Sequence, residues 1–266
     1  MRDIDNIVEA MKAYAGSALR KAAETVRNVR RCEAKLIEAL NMLVMHQPGL
    51  AKDLSVTGKR IMVAFGSSVG LCGAFNDKIS DHLDVLANDD DALLITGNRL
   101  QSITEARKIA HFEHFEAPTS LEGIKDALQE ILSCIKSLYD RKEYFSLVLV
   151  FTVVTDNQTE IVAEQVLPPD LGDFPAEQNA EQTLLLYEDP ATVFSGILDE
   201  LLATTLYRCY VESLQGENWY RLRAMEAASE NLNQRIFELG ALQNYLRQEE
   251  VTEEMLEILG GGFFYR

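Results

Sequence analysis

The sequence is poor in cations, in proline and in cysteine. Of its 266 residues, 25 are lysine or arginine and 42 are aspartate or glutamate, so the formal net charge is −17. Phosphate groups repel so acidic a chain, which argues against general nucleic-acid binding and against broad attachment to anionic lipid. A basic protein partner remains compatible with this charge.

Long hydrophobic runs are also missing. The longest strongly apolar stretch, Leu147–Val154, has eight residues, whereas a helix needs about twenty to cross a bilayer. Charges are scattered through the first residues, so we expect no signal peptide. The four cysteines, Cys32, Cys72, Cys134 and Cys209, form no CxxC pair, and we expect them to be reduced core thiols.

Proline is absent from the first 47 residues, where apolar or small side chains recur at alternating steps of four and three. This heptad pattern predicts one long helix with a coiled-coil seam, which ends at Gln47-Pro48-Gly49. Small residues in the middle of the seam allow a partner helix to approach closely. The seam consists of Ile4, Val8, Met11, Ala15, Ala18, Ala22, Thr25, Val29, Cys32, Leu36, Ala39 and Leu43.

A second long helix is predicted after Pro190, because no proline follows it. A helix over 191–259 is about 100 Å long, so it has to project from a compact domain as a rod. We expect it to stop at Gly260-Gly261-Gly262 and to pair with the first helix as an antiparallel coiled coil within one chain. The alternative is that each end dimerises with another copy. The second seam consists of Leu222, Met225, Ser229, Leu232, Ile236, Leu239, Gln243 and Leu246.

Strands and helices alternate between these ends, which predicts a mainly parallel sheet covered on both faces. The predicted fold class is therefore α/β: a long antiparallel coiled coil plus a Rossmann-like three-layer α/β domain. We assign residues 1–47 to the N-terminal coiled-coil helix, 48–190 to the α/β domain and 191–266 to the C-terminal helix. Within the domain, Pro168–Pro190 is predicted to be an acidic surface loop. The predicted strands are Arg60–Gly66, Ala92–Gly97, Leu147–Val154 and Ile161–Leu167, the last two forming an antiparallel hairpin, and the predicted helices are Asn76–Leu86, Asn98–Ala110 and Ser120–Tyr139.

Three short patterns could carry chemistry, and each has a simpler structural interpretation. Gly66–Gly70 fits the G-x-S-x-G of a nucleophile elbow with Ser68 as nucleophile. The histidines that follow Ser68 all lie before residue 115, so a hydrolase that used one of them would leave the final 150 residues without a role in catalysis. Gly66, Gly70 and Gly73 match neither common phosphate-loop spacing. His111 and His114 have no third ligand nearby. We therefore predict no catalytic residue, metal or cofactor, and assign the glycines to a tight turn.

One segment after the first strand carries a family resemblance. Gly70-Leu71-Cys72-Gly73-Ala74-Phe75-Asn76 resembles the signature loop of the gamma subunit of F-type ATP synthases. The resemblance extends over the whole chain through further motifs in the same order. They are Ala10-Met11-Lys12 with Leu19–Ala22, Arg221–Asn231, Asn244–Thr252 and Glu257–Gly261.

The resemblance implies a noncatalytic rotor. In this family an antiparallel pair of terminal helices threads a hexamer of alpha and beta subunits, and the α/β domain forms a foot beside the epsilon subunit and the ring of membrane-embedded c subunits. Flow of H+ or Na+ turns the ring and the shaft with it, and the catalytic residues belong to beta. The resemblance thus implies a peripheral protein on the cytoplasmic face of the membrane.

Residue roles follow from the same resemblance. Met11 and Lys12 would face the beta subunits from the N-terminal helix, and Arg221 would do so from the C-terminal helix. Arg247, Gln248 and Thr252 would contact the hexamer near the tip of the shaft, where cations can pair with acidic loops. The alternative for these residues is a solvated helix face. For Cys72 and Phe75 we expect packing of the turn.

The chain also departs from the family pattern. Ser67-Ser68-Val69 stands where the family usually has Ser-Asp-Arg, and the acidity is atypical. These departures suggest a divergent or alternative form of the ATP synthase. Two other functions stay open at this point: a degenerate gamma-like scaffold protein, and a serine hydrolase that uses Ser68.

Overall fold

The structure is a computed structural model that describes residues 2–51, 59–141, 143–156, 158–169 and 185–262. Most of the predicted surface loop Pro168–Pro190 lies outside these residues. The helices are α1 (Arg2–His46), α2 (Phe75–Leu86), α3 (Asn98–Ala106), α4 (Ile124–Asp140) and α5 (Pro190–Gly262), and the strands are β1 (Lys59–Phe65), β2 (Ala92–Thr96), β3 (Glu113–Phe115), β4 (Tyr144–Thr155) and β5 (Gln158–Leu167).

The five strands form one sheet in the order β3-β2-β1-β4-β5. Strand β1 pairs in parallel with both β2 and β4, and β3 extends the parallel part beyond β2. Strand β5 returns antiparallel to β4, with Thr155 opposite Gln158 at the turn. A positive φ of 46° at Asp156 suits the short connection between them. The predicted hairpin is therefore present.

Helices cover both faces of the sheet, because alternate residues of each strand point to opposite sides. Ile61, Val63 and Phe65 of β1 share a core with α4, α5 and the middle of α1. Met62 and Ala64 face the other way, towards α2, α3 and Tyr220 of α5. This arrangement confirms the predicted three-layer α/β domain. We call the described part of 59–169 the sheet domain.

Helices α1 and α5 run antiparallel and pack along each other within one chain. Glu9 near the start of α1 accepts a hydrogen bond from Ser229 at 3.3 Å, whereas Glu33 accepts one from Thr205 at 2.6 Å. At the far end, Leu43 shares a cluster with Phe194. Partner numbers on α5 fall as those on α1 rise, so the pair is an intramolecular antiparallel one. We call this helix pair the shaft.

The buried face of α1 differs from the predicted seam at several positions. Val26 and Leu40, which the seam omits, are buried, while Cys32 and Ile4 are exposed. Val26 belongs to the core beneath the sheet, because the sheet domain packs against the middle of α1 in addition to α5. A heptad pattern alone describes a helix with a single partner, and this helix has two.

Two details differ from the predictions. Strand β3 was not predicted, because three residues between two turns give too short a pattern. Helix α3 ends at Ala106 rather than Ala110, and Lys108 follows with a φ of 61°. Helix α5 ends at Gly262, the last of the three glycines at which it was expected to stop.

The four cysteines are free, but they do not share one environment. Cys72 and Cys209 are buried, Cys134 is half-buried and Cys32 is exposed. The expected core position is therefore wrong for Cys32. Burial raises the pKa of the Cys72 and Cys209 thiols. Among the helices that the structure describes, none is long and apolar enough to cross a membrane.

Candidate functional site

Helix α5 crosses the sheet domain where ligands bind in many α/β proteins. Successive strands are added on one side of β1, and β4 then lies on its other side. In open α/β sheets the crevice beside such a reversal, at the carboxyl ends of the strands, is the usual ligand site. Here Ser213 of α5 donates a hydrogen bond to the carbonyl oxygen of Phe65, the last residue of β1, at 2.7 Å.

The shaft approaches the sheet so closely that only glycine fits at the contact. A Cβ atom on Gly216 of α5 would lie 2.5 Å from Cγ2 of Thr152 on β4. Aromatic contacts flank this point, with the rings of Phe65 and Tyr210 4.8 Å apart. Tyr220 accepts a hydrogen bond from Thr159 at 2.8 Å. Helix α5 therefore packs against the position where a ligand usually binds in open α/β sheets. We call this contact between the sheet domain and the shaft the junction.

This close approach predicts opposite effects for one substitution at two glycines of α5. We expect Gly216→Ala to lower the free energy of unfolding by about 1–2 kcal/mol, because the overpacking at Thr152 outweighs the gain in helix propensity. Gly196, whose Cβ would meet nothing within 4 Å, is the matched control. Gly196→Ala should raise stability by up to about 1 kcal/mol. Chemical denaturation of the full chain measures both, and equal changes of one sign would contradict the close contact.

The signature turn, residues 70–76, is held by a small polar cluster. The side chain of Asn76 accepts a hydrogen bond from the backbone N–H of Ser67 at 3.0 Å and donates one to the Ser67 hydroxyl at 2.8 Å. The Cys72 sulfur lies 3.4 Å from the same hydroxyl oxygen. These contacts fasten the start of α2 to the end of β1, which explains the role of Asn76 and Cys72.

Backbone conformation and packing complete the turn. Leu71 and Gly73 have positive φ values of 64° and 53°, a conformation that is uncommon for a leucine. Phe75 is fully buried, 5.9 Å from the ring of Tyr220. Cys72, Phe75 and Asn76 are buried, Gly70 is half-buried, and Leu71, Gly73 and Ala74 are exposed. The arrangement fits the packing role expected for Cys72 and Phe75.

The residues of the two chemical alternatives are not arranged for catalysis or metal binding. The Ser68 hydroxyl accepts a hydrogen bond from the backbone N–H of Ala117 at 2.9 Å, which ties two loops together. No histidine in the described part of the chain hydrogen-bonds to Ser68. His114 lies on β3, and the described residues contain no cluster of potential ligands that could hold a metal ion. The hydrolase alternative thus has no support.

The residues expected to contact a partner occupy different positions along the shaft. Met11 is half-buried on α1, and Lys12 beside it forms an ion pair with Glu9 at 3.5 Å. Arg247, Gln248 and Thr252 are exposed on α5. The Thr252 hydroxyl donates a hydrogen bond to the backbone carbonyl oxygen of Gln248 at 2.7 Å. The structure does not bring these two groups together. Met11 and Lys12 lie near the start of α1, whereas Arg247, Gln248 and Thr252 lie on the part of α5 that extends past the start of α1.

Arg221 differs from the other five. Its side chain is buried and forms an ion pair with Glu217 one helical turn earlier, and it donates a hydrogen bond to Asn218 at 3.1 Å. Burial raises the pKa of Glu217, and the charge of Arg221 acts in the opposite direction. In this arrangement the Arg221 guanidinium is buried and pairs with neighbours on its own helix.

Sequence reasoning missed a buried ionic network at the same junction. Arg208 of α5 forms ion pairs with Glu33 of α1 at 2.6 Å and with Glu164 of β5 at 2.6 Å. It also pairs with Glu212 at 3.2 Å, and Glu212 in turn pairs with Arg30 of α1 at 2.7 Å. Burial acts to lower the pKa of Arg208, but the surrounding carboxylates raise it above its ordinary value. The available signal was an arginine within the apolar face of a helix, with a glutamate four residues later.

These features define a class of protein. A two-helix shaft packs against a three-layer α/β domain, crosses the carboxyl ends of its strands, and extends as a single helix past the start of α1. This is the architecture of a shaft subunit. Its chemistry is packing and ion pairing between elements of one chain.

Comparisons with known proteins identify the family. A family model described as ATP synthase matches residues 1–262. The chain is 29% identical to an ATP synthase gamma chain of Granulibacter bethesdensis, over 98% of this chain and 94% of the relative. It is 28% identical to one of Bdellovibrio bacteriovorus, over 98% and 93%. A chain in the central stalk and c-ring structure of the Tetrahymena thermophila mitochondrial ATP synthase has the same fold, with a TM-score of 0.62 and 19% identity over 84% of this chain and 99% of that chain.

The chain therefore belongs to the ATP synthase gamma family, the noncatalytic central-stalk subunits of F-type ATP synthases. The resemblance found in the sequence is confirmed, and so is the predicted fold class. The scaffold and hydrolase alternatives gain no support from these comparisons.

Proposed function

We propose that this chain is the rotor that couples ion flow to ATP chemistry in its complex. In this proposal α5 projects into a hexamer of alpha and beta subunits, and the sheet domain meets the epsilon subunit and the c-ring. Flow of H+ or Na+ turns the ring, and the shaft carries the rotation to the catalytic beta subunits. The complex would hold the chain peripherally on the cytoplasmic face of the membrane.

The observation that carries the proposal is the last part of α5, from Ile236 to Leu256, which extends past the start of α1. We call this segment the bare end. Since Ser229 pairs with Glu9 near the start of α1, the helix continues without a described partner over about the last 20 exposed residues, a length of about 30 Å. Its large apolar side chains are nonetheless exposed. They are Ile236, Phe237, Leu239, Leu242, Tyr245, Leu246, Val251, Met255 and Leu256.

These side chains point in all directions around the helix axis. At 100° per residue, Ile236, Phe237, Leu239 and Tyr245 alone lie on four different sides of α5. A helix that is apolar on one side fits a groove, whereas one that is apolar all round is normally enclosed. A ring of subunits provides such an enclosure, which is why the bare end favours insertion into a hexamer.

Residue contacts follow from exposure. Arg247, Gln248 and Thr252 lie on the bare end and are exposed, so they are free to meet the hexamer. Met11 and Lys12 lie further down the shaft, where we propose contacts with the beta subunits. We leave Arg221 out of this set, because Glu217 and Asn218 hold it inside the junction.

Assembly tests the proposal directly. The full chain is combined with the alpha and beta subunits of the same source, and ATP hydrolysis is measured with and without it. We expect a stable complex whose ATP hydrolysis depends on this chain. A fully active complex that forms without the chain, or an alpha and beta mixture that never binds it, would contradict the proposal.

The proposed tip contacts predict a loss of function without a loss of stability. We expect the double variant Arg247→Ala with Gln248→Ala to reduce ATP hydrolysis of the assembled complex by about 2- to 10-fold, because a charge-assisted contact contributes on the order of 1 kcal/mol. The thermal midpoint of the free chain should not move, since both side chains are exposed.

The matched control is Glu249→Ala with Glu250→Ala on the same exposed turn. This variant should leave ATP hydrolysis within about twofold of the unmodified complex. Equal activity of both double variants would show that Arg247 and Gln248 make no specific contact with the hexamer.

A further inference from the structure

If the chain is a rotor, the junction between the sheet domain and the shaft has to carry torque. Each polar contact that crosses the junction could help to transmit that torque. The described part of the chain offers few such contacts. Ser213 bonds to Phe65, Thr159 bonds to Tyr220, and Tyr14 bonds to the carbonyl oxygen of Thr119, all through neutral groups. Lys136 and Asp199 lie 3.9 Å apart, and both are largely exposed. A surface pair of this kind contributes little.

Arg208 is different in burial and in geometry. Its side chain is 7% exposed, and its guanidinium reaches carboxylates on three elements: Glu33 on α1, Glu164 on β5 and Glu212 on α5. It also lies over the ring of Phe151 on β4, 5.6 Å from the ring centroid. One side chain therefore connects both helices of the shaft with the two neighbouring strands.

Ionic links of this geometry add a directional resistance to sliding. The close-packed core between the sheet domain and the shaft already resists sliding through steric overlap, but the attraction between apolar groups has no preferred direction. The Arg208 guanidinium donates hydrogen bonds of defined direction to Glu164 at 2.6 Å and to Glu212 at 3.2 Å, and its Nε forms an ion pair with Glu33 at 2.6 Å. Because the guanidinium is buried, salt screens these interactions less than it screens surface pairs. A tangential displacement of the sheet domain against the shaft has to break or stretch these bonds.

We propose that Arg208, held by Glu33 and Glu164, is the residue that transmits torque between the sheet domain and the shaft. Arg208 acts as a positioning residue: it contacts no substrate and keeps two parts of the rotor in register under load. Glu164 is the part of the link that belongs to the sheet domain. This inference rests on the proposed rotor function.

The test weakens only the sheet-domain side of the link. Glu164→Gln removes the charge on β5 and leaves Arg208 paired with Glu33 and Glu212. Glu160→Gln is the matched control, because Glu160 is an exposed glutamate four residues earlier on the same strand and face, and it has no ion pair in the described part of the chain. Both variants are assembled with alpha and beta subunits, and the hexamer is fixed to a surface.

The measurement is the angular fluctuation of a bead on the stalled rotor, with the bead attached at one of two places. Val85→Cys, in a Cys32→Ser background, places the bead on the exposed α2 surface of the sheet domain, so that strain passes through the link. The native, exposed Cys32 on α1 places it on the shaft and bypasses the link.

We expect Glu164→Gln to raise the angular variance about 1.5- to 2-fold with the bead on the sheet domain, because the link to Arg208 loses its charge assistance and keeps at most a weaker, neutral hydrogen bond. With the bead on the shaft the variance should stay unchanged, and Glu160→Gln should change neither value. Glu164→Asp, which keeps the charge on a shorter side chain, should lie between the two and serves as the readout if Glu164→Gln fails to assemble.

An unchanged variance at the sheet domain would overturn the inference, and so would an equal rise at both attachment points, because that result reports general loosening. Failure of the proposed function would look different: the complex with the unmodified chain would then show no ATP-driven rotation at either attachment point.

Discussion

Replacing Arg208 with methionine is expected to lower the free energy of unfolding of the full chain by about 3–5 kcal/mol, the usual cost of removing one member of a buried ionic network. Glu33 and Glu164 would lose their cation, and among the described residues Arg30 alone would still pair with Glu212. Chemical denaturation monitored by far-UV circular dichroism measures the change.

The control for this prediction is Arg235→Met on the same helix. Arg235 is exposed, and an exposed substitution away from any such network changes stability by less than about 0.5 kcal/mol. If Arg208→Met and Arg235→Met had similar midpoints of denaturation, the buried network would contribute nothing to stability and its distances would not describe the folded chain.

Replacing Gly97 with alanine is expected to lower the free energy of unfolding by about 3–4 kcal/mol, from a strained backbone and an unavoidable overlap. Gly97 has a φ of 93°, and a Cβ there would lie 2.5 Å from the backbone carbon and oxygen of Ser67. Backbone atoms cannot rotate away as a side chain can. The substitution should therefore loosen the end of β1 and the signature turn that begins there.

Gly70→Ala provides the comparison, because it lies in the loop that follows β1. A Cβ at Gly70 would meet only the end of the flexible Arg99 side chain, at 3.2 Å. We expect a change of less than about 1 kcal/mol. A Gly97→Ala chain as stable as Gly70→Ala would mean that the two loops do not approach as described.

Much of the architecture could be predicted because it depends on local pattern. The predicted strands Arg60–Gly66 and Ala92–Gly97 agree with β1 and β2 to within one residue at either end, since buried parallel strands are short continuous apolar runs. The absence of proline and the long seams were sufficient to predict both long helices. The antiparallel pairing followed from a chain that has to travel out and back.

The junction could not be predicted, because it depends on contacts between residues far apart in the sequence. Gly216 meets Thr152, and Arg208 meets both Glu33 and Glu164. No periodicity of a single helix reveals that a sheet will pack against its side. For the same reason Cys32 was expected in a core and Arg221 at a partner surface, whereas Cys32 is exposed and Arg221 is buried.

The few cations of this acidic chain lie in different environments. The sequence as a whole is strongly acidic, yet the cations that organise the molecule are buried at the junction, as Arg208 and Arg221 are. Exposed Arg247 is a cation left on the bare end of the shaft. Arg208 thus links the sheet domain to the shaft, whereas Arg247 is exposed.

Single-molecule rotation tests directly whether the chain is a rotor. The hexamer assembled with the full chain is fixed to a surface, a bead is attached to the sheet domain through Val85→Cys in a Cys32→Ser background, and ATP is added. We expect continuous rotation of the bead in one direction, which stops when ATP is exhausted. A complex that hydrolyses ATP while the bead on this chain only fluctuates about a fixed angle would contradict the claim that the chain is a rotor.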